Sequence, residues 1–166
     1  MATTGVVYGS LQTLTVTNLH SKASSVSAGW QSALIDNTSD LWDDAQVFVE
    51  IAAVNTAPGG HKRIYVAAAG LVDTLYTSTG DGVPSGLEGN ITFPDITTLE
   101  WGVPIIGTIP YPVQNKALSG GPFAVAPRFG GALPIKWSVL ILPYAGFTLA
   151  ASGNAVKWRG VRYSVA

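Results

Sequence analysis

Cysteine is missing from this chain altogether, and with it go disulfides, thiolate zinc sites and thiol nucleophiles. Charge is scarce too. Asp, Glu, Lys and Arg make up 11% of the 166 residues, against roughly 25% in a typical soluble domain. A free monomer keeps its surface wet with many charges, so a chain this poor in them is expected to cover much of its surface with neighbours. The basic residues number nine against ten acidic ones, for a net charge of −1. They are scattered except for Lys157, Arg159 and Arg162. Neutralising phosphates takes clustered Lys and Arg, so no nucleic-acid partner is expected.

Long apolar runs are also lacking. Pro, Gly and polar residues interrupt every candidate before the ~18 residues a membrane span needs, so no membrane partner is expected. The start, Met1 to Ser10, has neither the basic cluster nor the apolar core of a secretion signal, which sets an expectation of synthesis in the cytosol. No window sustains helical periodicity; Asp36 to Asp44 is expected to form one short helical turn at most.

What is present is β-forming sequence cut into short pieces. The chain holds 19 Gly and 10 Pro, and between them lie runs rich in Val, Ile, Thr, Tyr and Trp. Ala45 to Asn55 is the clearest. Val47, Val49 and Ile51 fall on one face, with Gln46, Phe48 and Glu50 on the other. A similar separation runs through Val156, Trp158, Val161, Tyr163 and Val165, with a parity change at Gly160 that predicts a bulge. Further strands are expected at Leu11 to Thr17, Ser24 to Gln31, Arg63 to Ala69, Leu75 to Thr77 and Asn90 to Phe93. Later in the chain, Ile105 to Ile109, Phe123 to Ala126, Trp137 to Leu142 and Phe147 to Ala151 read the same way.

Turn signals separate these runs, among them Ala57-Pro58-Gly59-Gly60, Gly80-Asp81-Gly82 and Gly120-Gly121-Pro122. The pattern predicts an all-β chain: a single β-sandwich, jelly-roll-like, with long Pro/Gly-rich loops. Neither a repeat nor a linker divides it, so residues 1–166 are expected to form one domain, with 1–10 as a possible N-terminal contact arm.

The segment Gly102 to Pro134 holds six of the ten Pro residues. Its apolar stretches, Val103-Pro104-Ile105-Ile106 and Ile109-Pro110-Tyr111-Pro112-Val113, are expected to lie against something. Val103, Ile105, Ile106, Ile109, Tyr111 and Val113 are therefore the candidate contact side chains for another subunit.

Catalytic constellations are thin, and no enzyme activity is expected. His20 and His61 stand far apart, each near a Lys in an expected turn. Ser21 and Asp73 can be drafted into a triad with either, as in any Ser-rich chain, and no Gly-x-Ser-x-Gly elbow occurs. The cluster Asp36, Asp40, Asp43 and Asp44 suggests calcium, yet it lacks EF-hand spacing and the Gly of its turn. Gly80-Asp81-Gly82 with Gly86 lacks the strand and helix that flank a phosphate loop. No cofactor or metal is expected. Trp30, Trp137 and Trp158 lie in strand-like runs and read as core. Trp42 and Trp101 lie near loops and are the candidate glycan-stacking residues.

The stretch Leu11 to Gln31, with Ser24-Ser25 and Gly29-Trp30-Gln31-Ser32, is followed by Ile35-Asp36-Asn37-Thr38 and by Val47-Phe48-Val49-Glu50-Ile51. Over this first half the chain resembles small β-sandwich virion proteins of tailed bacteriophages, of the type that decorates or cements the capsid. The resemblance implies a non-catalytic protein on the outer capsid surface, assembled in the host cytoplasm. It also implies a homo-oligomer, with a trimer favoured, whose partner is the major capsid protein and which stabilises the shell by bridging its subunits. The alternative is a tail or fibre module that binds a receptor or carbohydrate.

Overall fold

The computed structural model describes residues 4–56, 63–72, 75–76, 84–93, 103–111 and 115–165. Within them, alternating strands close into two antiparallel sheets. The first sheet contains β1 (Thr4–Tyr8), β2 (Gln12–Thr13), β5 (Asp44–Ile51), β10 (Leu118–Ala124) and β12 (Ala155–Val165). Its order is β1-β12-β5-β10, with β2 also on β12. The second contains β3 (Ala28–Gln31), β4 (Ile35–Asp36), β6 (Arg63–Val72), β7 (Leu75–Tyr76), β8 (Gly89–Thr92), β9 (Ile105–Pro110) and β11 (Lys136–Tyr144). There β11 lies between β6 and β3, β9 and β7 pair with the other side of β6, and β8 closes the β3 edge.

The route of the chain defines the topology. From β1 it crosses to β3, back to β5 and across to β6. After the neighbouring β9 it returns to β10, then to β11 and finally to β12. The strands β1-β12-β5-β10 therefore face β3-β11-β6-β9. This is a jelly roll, two Greek keys wrapped into one sandwich.

The period-two pattern decides which side chains meet inside. On β5 the inner row is Ala45, Val47, Val49 and Ile51, all buried, while Gln46, Phe48 and Glu50 face out. Trp30 and Trp137 are fully buried, and Trp158 meets Trp137 edge-on at 5.5 Å. Strand β11 is buried along almost its whole length because both faces are covered. Trp137, Val139 and Ile141 join the main core, and Leu140 and Leu142 join a second cluster with Tyr65, Ile91, Phe93 and Val103.

Three local expectations change. The described part of the N-terminal arm, Thr4–Tyr8, is a strand paired with Val161–Val165 across the full length of the chain. Asp36 to Asp44, by contrast, keeps the one short turn expected of it: β4 ends at Asp36, and the Leu41 N–H donates to the Asn37 carbonyl four residues back before β5 begins. No bulge occurs at Gly160: the register of β12 against β5 runs unbroken from Ala155 to Val161. Gly160 keeps the inward parity of Val156 and Trp158, and the Trp42 indole fills the space its side chain would take. The register shift falls instead between Gly120 and Phe123 on β10. Phe147 to Ala151 is buried at Phe147 and Leu149 but forms no strand, since the Leu149 N–H goes to the Lys22 carbonyl.

Candidate contact surface

The expected contact side chains that the structure describes, from Val103 to Tyr111, are turned the wrong way for a neighbour. Val103, Ile106, Ile109 and Tyr111 are buried, and Ile105 is partly buried against the second cluster. Ile106, Ile109 and Tyr111 belong to the main core, where Tyr111 packs on Phe147 with ring centroids 4.4 Å apart. The Tyr111 hydroxyl donates to the Lys116 carbonyl. The surface these residues lie against is the chain's own interior, so as side chains they are withdrawn from the interface. Val113 and Trp101 lie outside the described residues.

The acidic residues are engaged one by one. Asp36 accepts from the Thr38 N–H and hydroxyl and faces Lys136 at 3.5 Å. Asp43 accepts the Tyr163 N–H at 2.7 Å. Buried Asp44 accepts the N–H groups of Ala45, Val125 and Ala126 at 2.7, 3.1 and 2.7 Å, pinning the 3-10 turn Ala126–Phe129 onto β5. His20 receives the Asn154 amide at 3.1 Å, and His61 lies outside the described residues.

Trp42 is half-buried. Its ring lies on Gly160 with its rim at Gly9, and the Arg162 guanidinium stands 4.9 Å from the ring centroid. Beside it runs an open groove of about 350 Å³, lined in part by Trp42, Trp158, Asp36, Asp40, Gln12 and Ser10. Trp158, expected in the core, packs against it and on Trp137, and also lines this groove with Trp42.

The most unusual surface falls partly in the segment expected as a possible contact arm, residues 1–10; what the sequence did not show is that Thr4–Tyr8 of this arm is a strand paired with the end of β12. Strand β1 and the end of β12 form a two-stranded ribbon. Val6, Tyr8 and Tyr163 share one face of it, and Val7 lies on the other. Their exposures are 48%, 51%, 55% and 49%, so both faces are open. Leu11 (53%), in the connection to β2, and Leu41 (59%), next to Asp40, extend the apolar end. Asp40 is tied to the ribbon because its carbonyl accepts from the Arg162 guanidinium.

Further along the same outer face, the Arg159 guanidinium lies 4.2 Å from the Tyr8 ring centroid and 5.4 Å from that of Phe48. Two of its N–H groups donate to the Gln46 side chain at 3.0 and 2.8 Å, which locks it between the rings. Lys157 pairs with Glu50 at 2.9 Å. Lys157 is thus matched by a carboxylate, while Arg159 is held by a neutral amide and two rings.

Compared with known proteins, the sequence matches no family model and no curated protein. Neither comparison supplies a link to bacteriophage structural proteins, and the functional reading rests on geometry.

The ribbon's chemistry is that of a contact surface. Contiguous exposed apolar side chains mark sites that another macromolecule covers. A projecting two-stranded ribbon is marginal by itself and gains stability when a partner packs on it.

Proposed function

We propose that this chain is a virion structural protein that decorates a bacteriophage capsid and stabilises it by bridging major capsid subunits. The observation that carries the reading is the apolar ribbon of Val6, Val7, Tyr8 and Tyr163 at one end of a charge-poor jelly roll. Jelly rolls recur in capsid proteins, although the same fold serves lectins and cupins, so fold alone does not carry the argument.

Magnitudes favour a many-copy role. Burying the exposed half of a Val or Tyr side chain contributes roughly 1 kcal/mol. Association costs roughly 4–15 kcal/mol in lost freedom. One ribbon therefore holds weakly, and firm attachment requires several contacts acting together, as in an oligomer on a repeating lattice. Each bridge adds contact area that must be broken before the shell opens.

The test uses capsids stripped of this chain. Purified protein added back is expected to cosediment with them at a fixed stoichiometry and to raise the temperature at which they release DNA. The variant Val7→Ser/Tyr163→Ser is expected to stay folded and bind at least tenfold more weakly. Unchanged binding by that variant would remove the ribbon from the interface, and no binding by the native chain would end the capsid reading.

A second reading, a tail or fibre module that binds carbohydrate, is favoured by the groove. Trp42 and Trp158 line it together with Asp36, Asp40 and Gln12, residue types that suit a hydroxylated ligand. It requires saturable quenching of Trp fluorescence by host-surface glycans, lost in Trp42→Ala.

A further inference from the structure

The backbone of β1 specifies what completes the ribbon. The Gly9 N–H donates to the Gly160 carbonyl at 2.9 Å, so Gly9 faces β12. Orientation alternates along an antiparallel strand, which puts Val7 and Gly5 on the same side, opposite Arg162 and Ser164. On the far flank of β12 the Val161 carbonyl accepts from Asp43, as the same alternation requires. Thr4, Val6 and Tyr8 therefore aim their N–H and C=O groups away from β12, at the edge of the five-stranded sheet that is open among the described residues.

Such an edge is a template for another strand. Natural proteins blunt exposed edges with Lys, Pro or bulges. Residues Thr4–Tyr8, Thr-Gly-Val-Val-Tyr, carry none of these. The edge groups are partial charges of alternating sign, and the complementary alternation is supplied by the same strand run antiparallel. Centred on Val6, that pairing sets Val6 opposite Val6 and Thr4 opposite Tyr8 of a second copy, with no like charges brought together.

We propose that two copies of this chain pair through their β1 edges about a two-fold axis, joining their five-stranded sheets into one continuous sheet. The inference deepens the reading of the ribbon as an assembly surface and names its edge partner as the chain itself. It replaces the three-fold assembly implied by the resemblance with a closed, isologous contact. The outer faces of the paired ribbons stay available to a shell.

A short edge buries little area, so the dimer forms at micromolar concentration or above. Sedimentation of the purified full chain from about 1 to about 200 µM is expected to show a monomer–dimer equilibrium. Hydrogen exchange at the high end is expected to protect the Val6 and Tyr8 amides. At the low end these exchange freely while those of Val7 and Gly9 stay protected. Val6→Pro removes the central N–H without touching the ladder to β12, and Val6→Lys keeps the N–H but places a charge at the edge. Each is expected to shift the midpoint at least tenfold toward monomer. A monomer throughout, a trimer, or a dimer with Val6 and Tyr8 unprotected overturns the proposal. So does a dimer that Val6→Lys leaves intact. Because the assay contains no capsid, its failure and that of shell binding are read separately.

Discussion

Trp42 rests flat on Gly160, and a Cβ at that position would collide with the indole. This single contact seats the turn after β4 on the middle of β12 and explains why a strand otherwise built from larger side chains has a glycine there. It also fixes one wall of the groove, because Trp42 and Gly160 both line it.

Gly160→Ala is accordingly expected to destabilise the fold by about 1–3 kcal/mol through overpacking. Denaturant unfolding followed by Trp fluorescence measures it. The native-state emission of Trp42 should shift as well, since the ring must lift off the strand.

Asp44 predicts a larger effect. Its carboxylate gathers N–H groups from β5 and from the 3-10 turn more than 80 positions later, inside the protein. Asp44→Ala leaves the Ala45 and Ala126 N–H groups without this acceptor, while Val125 keeps its bond to the Ala45 carbonyl, at an expected cost of about 2–4 kcal/mol. Asp44→Asn, which keeps one acceptor oxygen, is expected to lose less. Chemical denaturation of the pair checks the order.

Glu88 gives a pH dependence. Burial raises its pKa, but the N–H groups of the Asn18 backbone, the Trp30 indole and the Asn18 side chain outweigh burial, and the carboxyl lies below its ordinary value. A depressed folded-state pKa contributes stability that is present above the unfolded value, about 4.3, and is lost as pH falls through the folded one. The melting temperature is therefore expected to drop below about pH 4. Glu88→Gln, already neutral, should start lower at pH 7 and fall less steeply; parallel curves for the two proteins would contradict this role.

Ile109→Ala separates core from interface. Ile109 is buried in the main cluster, so the substitution is expected to cost about 2–4 kcal/mol of stability. Shell binding per folded molecule should not change. Weakened binding with full stability would return this segment to the interface.

The sandwich was legible because period two is a strong signal wherever one face is buried. Val47, Val49 and Ile51 on β5, and the apolar run of β11, announce themselves in this way. Trp30 and Trp137 as core followed from their place in such runs. Residues 1–10 stood out as a possible contact arm, but the pairing of Thr4–Tyr8 as a strand was hidden for a physical reason. Thr4 to Tyr8 is short and carries no alternation, and its partner strand lies at the other end of the chain, so local pattern reads it as an arm. The segment Val103 to Tyr111 misleads in the opposite sense. An apolar Pro-containing stretch reads the same whether it packs on a neighbour or on its own sheet, and only the fold shows that Ile106, Ile109 and Tyr111 point inward. At Gly160 the parity change reflected a seat for Trp42, a contact between positions 118 residues apart that no local window contains.

Location on the particle bears most directly on the central claim. Gold-labelled antibody to the purified chain, applied to intact virions from its source and viewed by electron microscopy, is expected to label the heads evenly. Detergent-opened particles serve as the control for masked epitopes. Label confined to tail tips or fibres, or absent from both intact and opened particles, would contradict capsid decoration.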